Sequence, residues 1–338
     1  MRREAAAKTL KQWITSKQGE MDIFFLWNGL GWPLIRLLFL VSAGLFVANF
    51  IESLNWTHKI ARISGPLIRF GHLPDTVGGS FSMAFFSSVA ANTMLSEAFD
   101  QERISKKQLI IGNLFNSLPT YFLHLPTLFF ITAPLIKGAS VIYVGLTLSA
   151  AFLRTALILL VSHYLLRAEN MSVYRNGVHP KKIYTLQGAL EKTWKRFKKR
   201  LRTIAMYTIP IYILVFFLHL LGLFDWLEGM ASEHLGILSW LNPEAIGIVI
   251  FQLAAEMTAG IAAAGALLDA GHLNYREVIL ALLAGNVISS PIRAARHQFP
   301  YYAGIFSPRL AVELIFCSQI FRISSIIIVG VVYYFWTG

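Results

Sequence analysis

The sequence predicts an all-α polytopic membrane protein built as an inverted repeat. Each half is expected to hold crossing helices, a re-entrant hairpin and a proline-broken helix. Three observations predict it. The 338-residue chain is 55% hydrophobic and only 14% charged, against roughly 25% charged in soluble domains, and its mean hydropathy is +0.56. Apolar runs of about 20 residues, enough to cross a bilayer, recur along it. A set of landmarks also recurs in order: Gly112-Asn113, Pro119, His124, Pro126 and Arg154 are answered by Gly285-Asn286, Pro291, His297, Pro300 and Arg322. Duplication of this size in so apolar a chain is a transporter feature. The runs are continuous and do not alternate, which argues against a transmembrane barrel.

The chain divides into four parts. Residues 1–34 form a basic segment lying on the membrane surface through Leu10, Trp13 and Ile14. Arg2 and Arg3 lead into a polar stretch and not an apolar core, so no cleavable signal is expected. Residues 35–166 are membrane repeat 1: a crossing helix over 37–54, a small-residue-rich segment over 75–98, a segment near 108–133 broken by Pro119 and Pro126, and a helix over 140–166. Residues 167–202 are a cytoplasmic linker with eleven Lys/Arg against Glu169 and Glu191. Its Leu186, Leu190, Trp194, Phe197 and Leu201 share one helical face, the pattern of a helix lying on an anionic leaflet. Residues 203–338 are membrane repeat 2, with segments 203–224, 244–268, 277–300 (broken at Pro291 and Pro300) and 309–336.

Charge sets the orientation. Lysine and arginine favour cytoplasmic loops. Loop 57–73 carries Lys59, Arg62 and Arg69, and loop 99–107 carries Arg103, Lys106 and Lys107. Both are expected inside, so the segment between them must enter and return. The corresponding loops 227–242 and 269–277 carry no basic residue and only Arg276, and are expected outside. Equivalent loops on opposite faces make the repeat inverted. The basic N-terminus falls outside in this scheme unless 21–34 makes an extra short crossing. Eight simple crossings would place it inside, with parallel repeats, but would export the basic loop 57–73.

Backbone at membrane depth must satisfy its own polar groups or line a cavity. Hairpin tips are expected near Ser87, Ser88 and Asn92, and near Glu256 and Thr258. An acid amid an apolar segment costs roughly 2.5–3.5 kcal/mol on insertion scales and faces a pore or a partner, so Glu256 reads as a substrate contact or proton-coupling group, or as a structural partner of an arginine. Asn113, Asn116 and Ser117 at the first break mirror Asn286, Ser289 and Ser290 at the second. They offer donors and acceptors beside glycines that allow close approach. Arg154 and Arg322, at matched positions, would bind phosphate or carboxylate if they face a cavity; alternatively they pair with Glu256 or Glu313. Arg293 and Arg296 read either with them or as markers of the cytoplasmic edge. His124 and His297 read as proton relays or as caps of kinked backbone.

The plan of Pro74-Asp75 through Asn116 and of Pro243-Glu244 through Ser290 resembles the nucleoside-recognition, or Gate, family. That family includes the membrane part of ferrous-iron transporters and spore maturation proteins A and B, and is distantly similar to concentrative nucleoside transporters. The resemblance implies two hairpins and two interrupted helices around a central site. Glu256 and Thr258 stand where the nucleoside transporters place a polar hairpin tip.

The function expected is secondary transport of a small polar or anionic solute, by alternating access at a midplane site in the inner (cytoplasmic) membrane. The alternatives are a non-transporting scaffold or accessory subunit and a protein handling lipid phosphates. The formal net charge of +12 lies mostly between apolar runs, so nucleic acid is not an expected partner; membrane lipids are, and a homo-oligomer stays open. Cys317 is the single cysteine, so neither a disulfide framework nor a metal site is expected. No nucleotide-binding, zinc-protease or serine-hydrolase motif occurs, so neither a cofactor nor an enzymatic activity is expected.

Overall fold

A computed structural model describes residues 64–166, 235–254 and 256–337, together with a stretch near 23–36 and isolated positions at 38–46, 190–194, 206–217 and 221–222. The expected surface segment 1–20 and most of the crossing at 37–54, of the linker 167–202 and of segment 203–224 lie outside the described residues.

The described chain is all-helical. In the first half, α1 (Gly65–Phe70) leads into α2 (Asp75–Ala84) and α3 (Ser88–Asp100), then α4 (Lys106–Phe115), α5 (Ser117–Ile136) and α6 (Ala139–Leu165). In the second half a 3-10 turn (Leu235–Leu238) leads into α7 (Pro243–Ala254) and α8 (Glu256–Asp269). Next come α9 (Tyr275–Arg293), a π-helical turn (Ala294–Gln298), α10 (Phe299–Ile305) and α11 (Pro308–Trp336). The order recurs: a pair of short helices, a long interrupted helix, a long continuous one.

Four helical stretches are long and apolar enough to cross a membrane: Lys106–Ile136, Ala139–Leu165, Tyr275–Ile305 and Pro308–Trp336. Helices α2 and α3 have 10 and 13 residues, and α7 and α8 have 12 and 14. At 1.5 Å per residue each is about 15–21 Å long, short of the roughly 30 Å hydrocarbon core. Helix α2 packs on α3, and α7 on α8. Neither 75–98 nor 244–268 is one continuous helix.

Local sequence explains the boundaries. Both interrupted helices open on a capping box. Ser105 Oγ accepts from Gln108 N at 3.3 Å while Gln108 Oε1 accepts from Ser105 N at 2.9 Å. Asn274 and Glu277 exchange the same pair of bonds at 3.0 and 2.9 Å. These satisfy N–H groups that a helix start leaves unpaired. Helix α3 starts where Ser87 Oγ accepts from Ala90 N at 3.2 Å, and α11 starts at Pro308 behind the cap Ser307.

The breaks fall beside the prolines expected to make them. Asn116 ends α4 and begins α5. Pro119 sits in the first turn of α5, where the missing N–H costs nothing. Pro126 lies within α5 and does not break it, which corrects the expectation from sequence. Pro291 likewise stays inside α9. The ladder loosens only after it, in the π-turn, and Pro300 restarts the helix at α10.

Contacts sort the helix termini into two ends of the bundle. At one end His163, late in α6, meets the Phe70 carbonyl at 2.7 Å, and Ser162 Oγ donates to the Gly71 carbonyl. Lys106, at the start of α4, pairs there with Glu313, near the start of α11, at 2.5 Å. At the opposite end Lys137, between α5 and α6, pairs with Asp269 at the end of α8 at 2.5 Å. Arg276, at the start of α9, donates to Thr337 and to the Tyr334 carbonyl at 2.9 and 3.1 Å. Two apolar cores fill the interior. One runs from Ile68, Val77 and Phe115 to Ile305 and Leu314; the other joins Ile136 and Tyr143 to Ile248, Ile279 and Ile326. Each core draws on both halves.

Glycine sets the spacing of the interrupted helices. A Cβ on Gly112 would lie 3.0 Å from Val77 and 3.1 Å from Leu95, on the first helix pair. A Cβ on its counterpart Gly285 would lie 2.8 Å from Gln252, on the second pair. Each glycine thus brings the adjoining asparagine, Asn113 or Asn286, hard against its neighbours.

Candidate functional site

Asn113 and Asn286 are buried alike, at 5% relative exposure. A buried amide needs partners, and both find some in the opposite half of the chain. Asn113 Nδ2 donates to Asn92 Oδ1 at 2.9 Å and to the Tyr302 hydroxyl at 3.3 Å. Asn92 Nδ2 donates to the Tyr301 hydroxyl at 3.1 Å. Asn116 Nδ2 donates to Ser80 Oγ at 2.7 Å, and Ser80 Oγ to the Ala91 carbonyl at 2.9 Å. The last two bonds tie the broken helix and both arms of the first pair into one polar layer. Ser88 stands beside Tyr301, whereas Ser87 is spent on capping α3.

The second asparagine has different company. Asn286 Nδ2 reaches the hydroxyl of Tyr143, on α6, at 3.5 Å. Its Oδ1 accepts from Arg293 at 2.9 Å and from Arg322 at 3.2 Å. Two guanidinium nitrogens on one oxygen stand no more than about 6 Å apart, and unit charges at that range repel by about 3 kcal/mol at an effective dielectric near 20. Arg154 holds Ser117 Oγ through Nε at 3.2 Å and lies within electrostatic range of Arg322. Tyr121, near Arg154, shares a 2.8 Å hydrogen bond with Thr147. Ser290 donates to Gln319 Oε1 at 2.6 Å, and Ser289 is buried beside it on α9.

Arg154 and Arg322 are half-buried. Each guanidinium has five N–H donors, and each makes one hydrogen bond to a described residue. No carboxylate among the described residues is in electrostatic contact with either. The arrangement can accept oxyanions through forked donors. Glu313 pairs with Lys106, not with either of these arginines.

Of the residues expected from sequence, Asn92, Asn113, Asn116 and Ser88 meet in one polar layer, and Ser117, Asn286, Arg154 and Arg322 in the other. Arg293, which also read as a marker of the membrane edge, joins the second layer. Thr258, His124 and His297 occupy exposed positions, and the side chain of Glu256 lies outside the described residues. No group of three or more potential metal ligands occurs among the described residues. Tyr143, Tyr301 and Tyr302 escape a reading of the sequence. A tyrosine in an apolar run has the signature of a membrane-interface residue, and only the docking of the halves brings these hydroxyls onto the asparagines.

The chain is similar over most of its length to three proteins of Methanocaldococcus jannaschii. Uncharacterized protein MJ0871 is 25% identical over 287 residues, covering 83% of this chain and 87% of the relative. Uncharacterized protein MJ0880 is 27% identical, covering 81% and 88%. Uncharacterized protein MJ1556 is 27% identical, covering 84% and 89%. No family model matches the chain, and no solved structure matches it.

Proposed function

We propose that this protein is a secondary transporter of a small polar or anionic solute, working by alternating access at a site between two inverted halves. The observation that carries the reading is the matched pair of polar layers. In each, a broken helix presents a buried asparagine to residues of the opposite half. Broken helices at membrane depth bind solutes because their freed polar groups are otherwise unsatisfied.

The ends of the bundle support inversion. The first short-helix pair opens at the end holding Arg103, Lys106, Lys107 and Arg309. The second opens at the end holding Asp269, Glu244 and His272, where His272 meets Glu244 at 2.7 Å. Helix pairs too short to cross, opening to opposite ends, read as two re-entrant hairpins. The basic end reads as cytoplasmic, in the inner membrane, and the linker 167–202 leaves from it.

The test is reach from both faces. With Cys317→Ser as background, Ser88→Cys at the first hairpin tip is treated with a membrane-impermeant thiol reagent in right-side-out and inverted vesicles. A transporter gives labelling from both faces. A scaffold gives none, and a lipid-handling protein reacts only with a bilayer-soluble reagent; either result overturns the reading.

A further inference from the structure

The broken helix of the second half is jointed where that of the first is not. After Asn116 the first runs on as one helix to Ile136. The second leaves α9 through the π-turn at Ala294–Gln298 and makes only the seven residues of α10. It then passes through Phe306 in extended conformation before Ser307 caps α11. A π-turn inside a helix loosens the hydrogen-bond ladder and lets the axis bend there. Helix α10 is therefore a short rigid piece between two joints, at the end of the bundle that holds Lys106 and Arg309.

Its contacts show what it covers. Asn92 Nδ2 donates to the Tyr301 hydroxyl at 3.1 Å, and Ser96 Oγ to the Ile305 carbonyl at 2.9 Å. Both bonds span 209 residues of sequence, so one turn of α3 matches one turn of α10, and the two helices lie side by side in the same direction. Helix α3 runs from the hairpin tip at Ser88 to Asp100, and α10 stands beside the arm that joins the tip to the basic end. Asn113, on α4, adds a third bond, to the Tyr302 hydroxyl at 3.3 Å. All three donors belong to the first half and all three acceptors to α10. Every one of these groups is neutral, so each can exchange its bond for one to water at modest cost.

Resting on the transport reading above, we propose that α10 is the cytoplasmic gate of the first hairpin. Closed, it holds Asn92, Asn113 and Ser96 through Tyr301, Tyr302 and the Ile305 carbonyl. To open, it swings on the π-turn and on Phe306 and releases those three donors.

The test reads labelling rates in the full chain, in a Cys317→Ser background carrying Ser88→Cys at the tip. An impermeant maleimide is applied to inverted vesicles, which expose the cytoplasmic face, and to right-side-out vesicles. Tyr301→Phe with Tyr302→Phe removes two acceptors and should raise the rate from the cytoplasmic face at least about fivefold. The rate from the outer face should stay level or fall. Tyr143→Phe, which breaks the Asn286 contact and none on α10, should change neither rate. Ser96→Ala removes the third bond alone and should speed cytoplasmic labelling about twofold or more; it decides if the double variant fails to fold.

Labelling from both faces at rates that these substitutions leave unchanged overturns the gate and leaves the transport reading standing. Equal acceleration from both faces, or a like effect of Tyr143→Phe, is general loosening and also overturns the gate. A Ser88→Cys that reacts from neither face in any variant overturns the transport reading, and the gate with it.

Discussion

Asn113 donates to the hydroxyl of Tyr302 at 3.3 Å across 189 residues of sequence. The bond joins the broken helix of the first half to the helix that completes the broken helix of the second. Asn286 makes the converse contact with Tyr143 of the first half. The two halves are thus joined through Asn113 and Asn286, and the two contacts can be broken separately.

Tyr302→Phe removes one acceptor from Asn113 and leaves the bond to Asn92. A neutral hydrogen bond contributes about 0.5–1.5 kcal/mol net, and Tyr302→Phe is expected to cost no more than that. Asn113→Leu should cost more, because it strands the Asn92 carbonyl oxygen as well. Thermal melting of the two variants in one detergent orders them, and equal losses would contradict the network.

Asn286→Asp places a carboxylate where two guanidinium groups converge. Hydrogen bonds to charged groups contribute about 1.5–3 kcal/mol, so this variant should melt higher than the wild type. A lower melting point would refute the arginine arrangement.

Gly285→Ala and Gly112→Ala test the close approach of the broken helices. The new methyl group meets Gln252 at 2.8 Å in one case and Val77 at 3.0 Å in the other, and overpacking of this kind costs about 1–3 kcal/mol. Gly145, on α6, has nothing within 4 Å of a Cβ. Gly145→Ala should be neutral or slightly stabilising, since alanine is the better helix former. Gly265→Ala should rank with the damaging pair, because its methyl group would fall 2.4 Å from the Leu135 carbonyl oxygen, and backbone cannot swing aside as a side chain can.

The ion pair between Lys137 and Asp269 gives a pH prediction. The hydrogen bond that Lys137 donates to Asp269, and then the charge of Asp269, hold the Lys137 ammonium above the ordinary lysine range. A raised lysine contributes stability that is present in full below its unfolded value and is lost as pH rises through the folded one. Lys137→Gln should therefore lower the melting temperature slightly at neutral pH, and the difference should vanish in strong alkali. The effect is small because both side chains are exposed.

Much of this organisation is legible in the sequence because its landmarks recur in order. Gly112-Asn113 and Gly285-Asn286 announce the breaks, and Arg154 and Arg322 follow them in the same order. The helix caps are equally local: Ser105 with Gln108, and Asn274 with Glu277, read as capping boxes without tertiary knowledge. What is not legible depends on docking. Tyr143, Tyr301 and Tyr302 acquire partners only when the halves meet. The two halves also differ in a way the landmarks hide: one asparagine gathers tyrosines and the other arginines. Pro126 misleads because neighbouring helices can hold a proline-bearing turn helical at membrane depth.

The central claim is a duplicated fold turned over across the membrane, with two short helix pairs that enter and return. Single cysteines in a Cys317→Ser background at Asp75 and Glu102, flanking the first pair, and at Glu244 and His272, flanking the second, test it most directly. The account predicts that the first two react with an impermeant reagent only from the cytoplasmic face, and the second two only from the outer face. Reaction of Asp75→Cys and Glu102→Cys from opposite faces would contradict it.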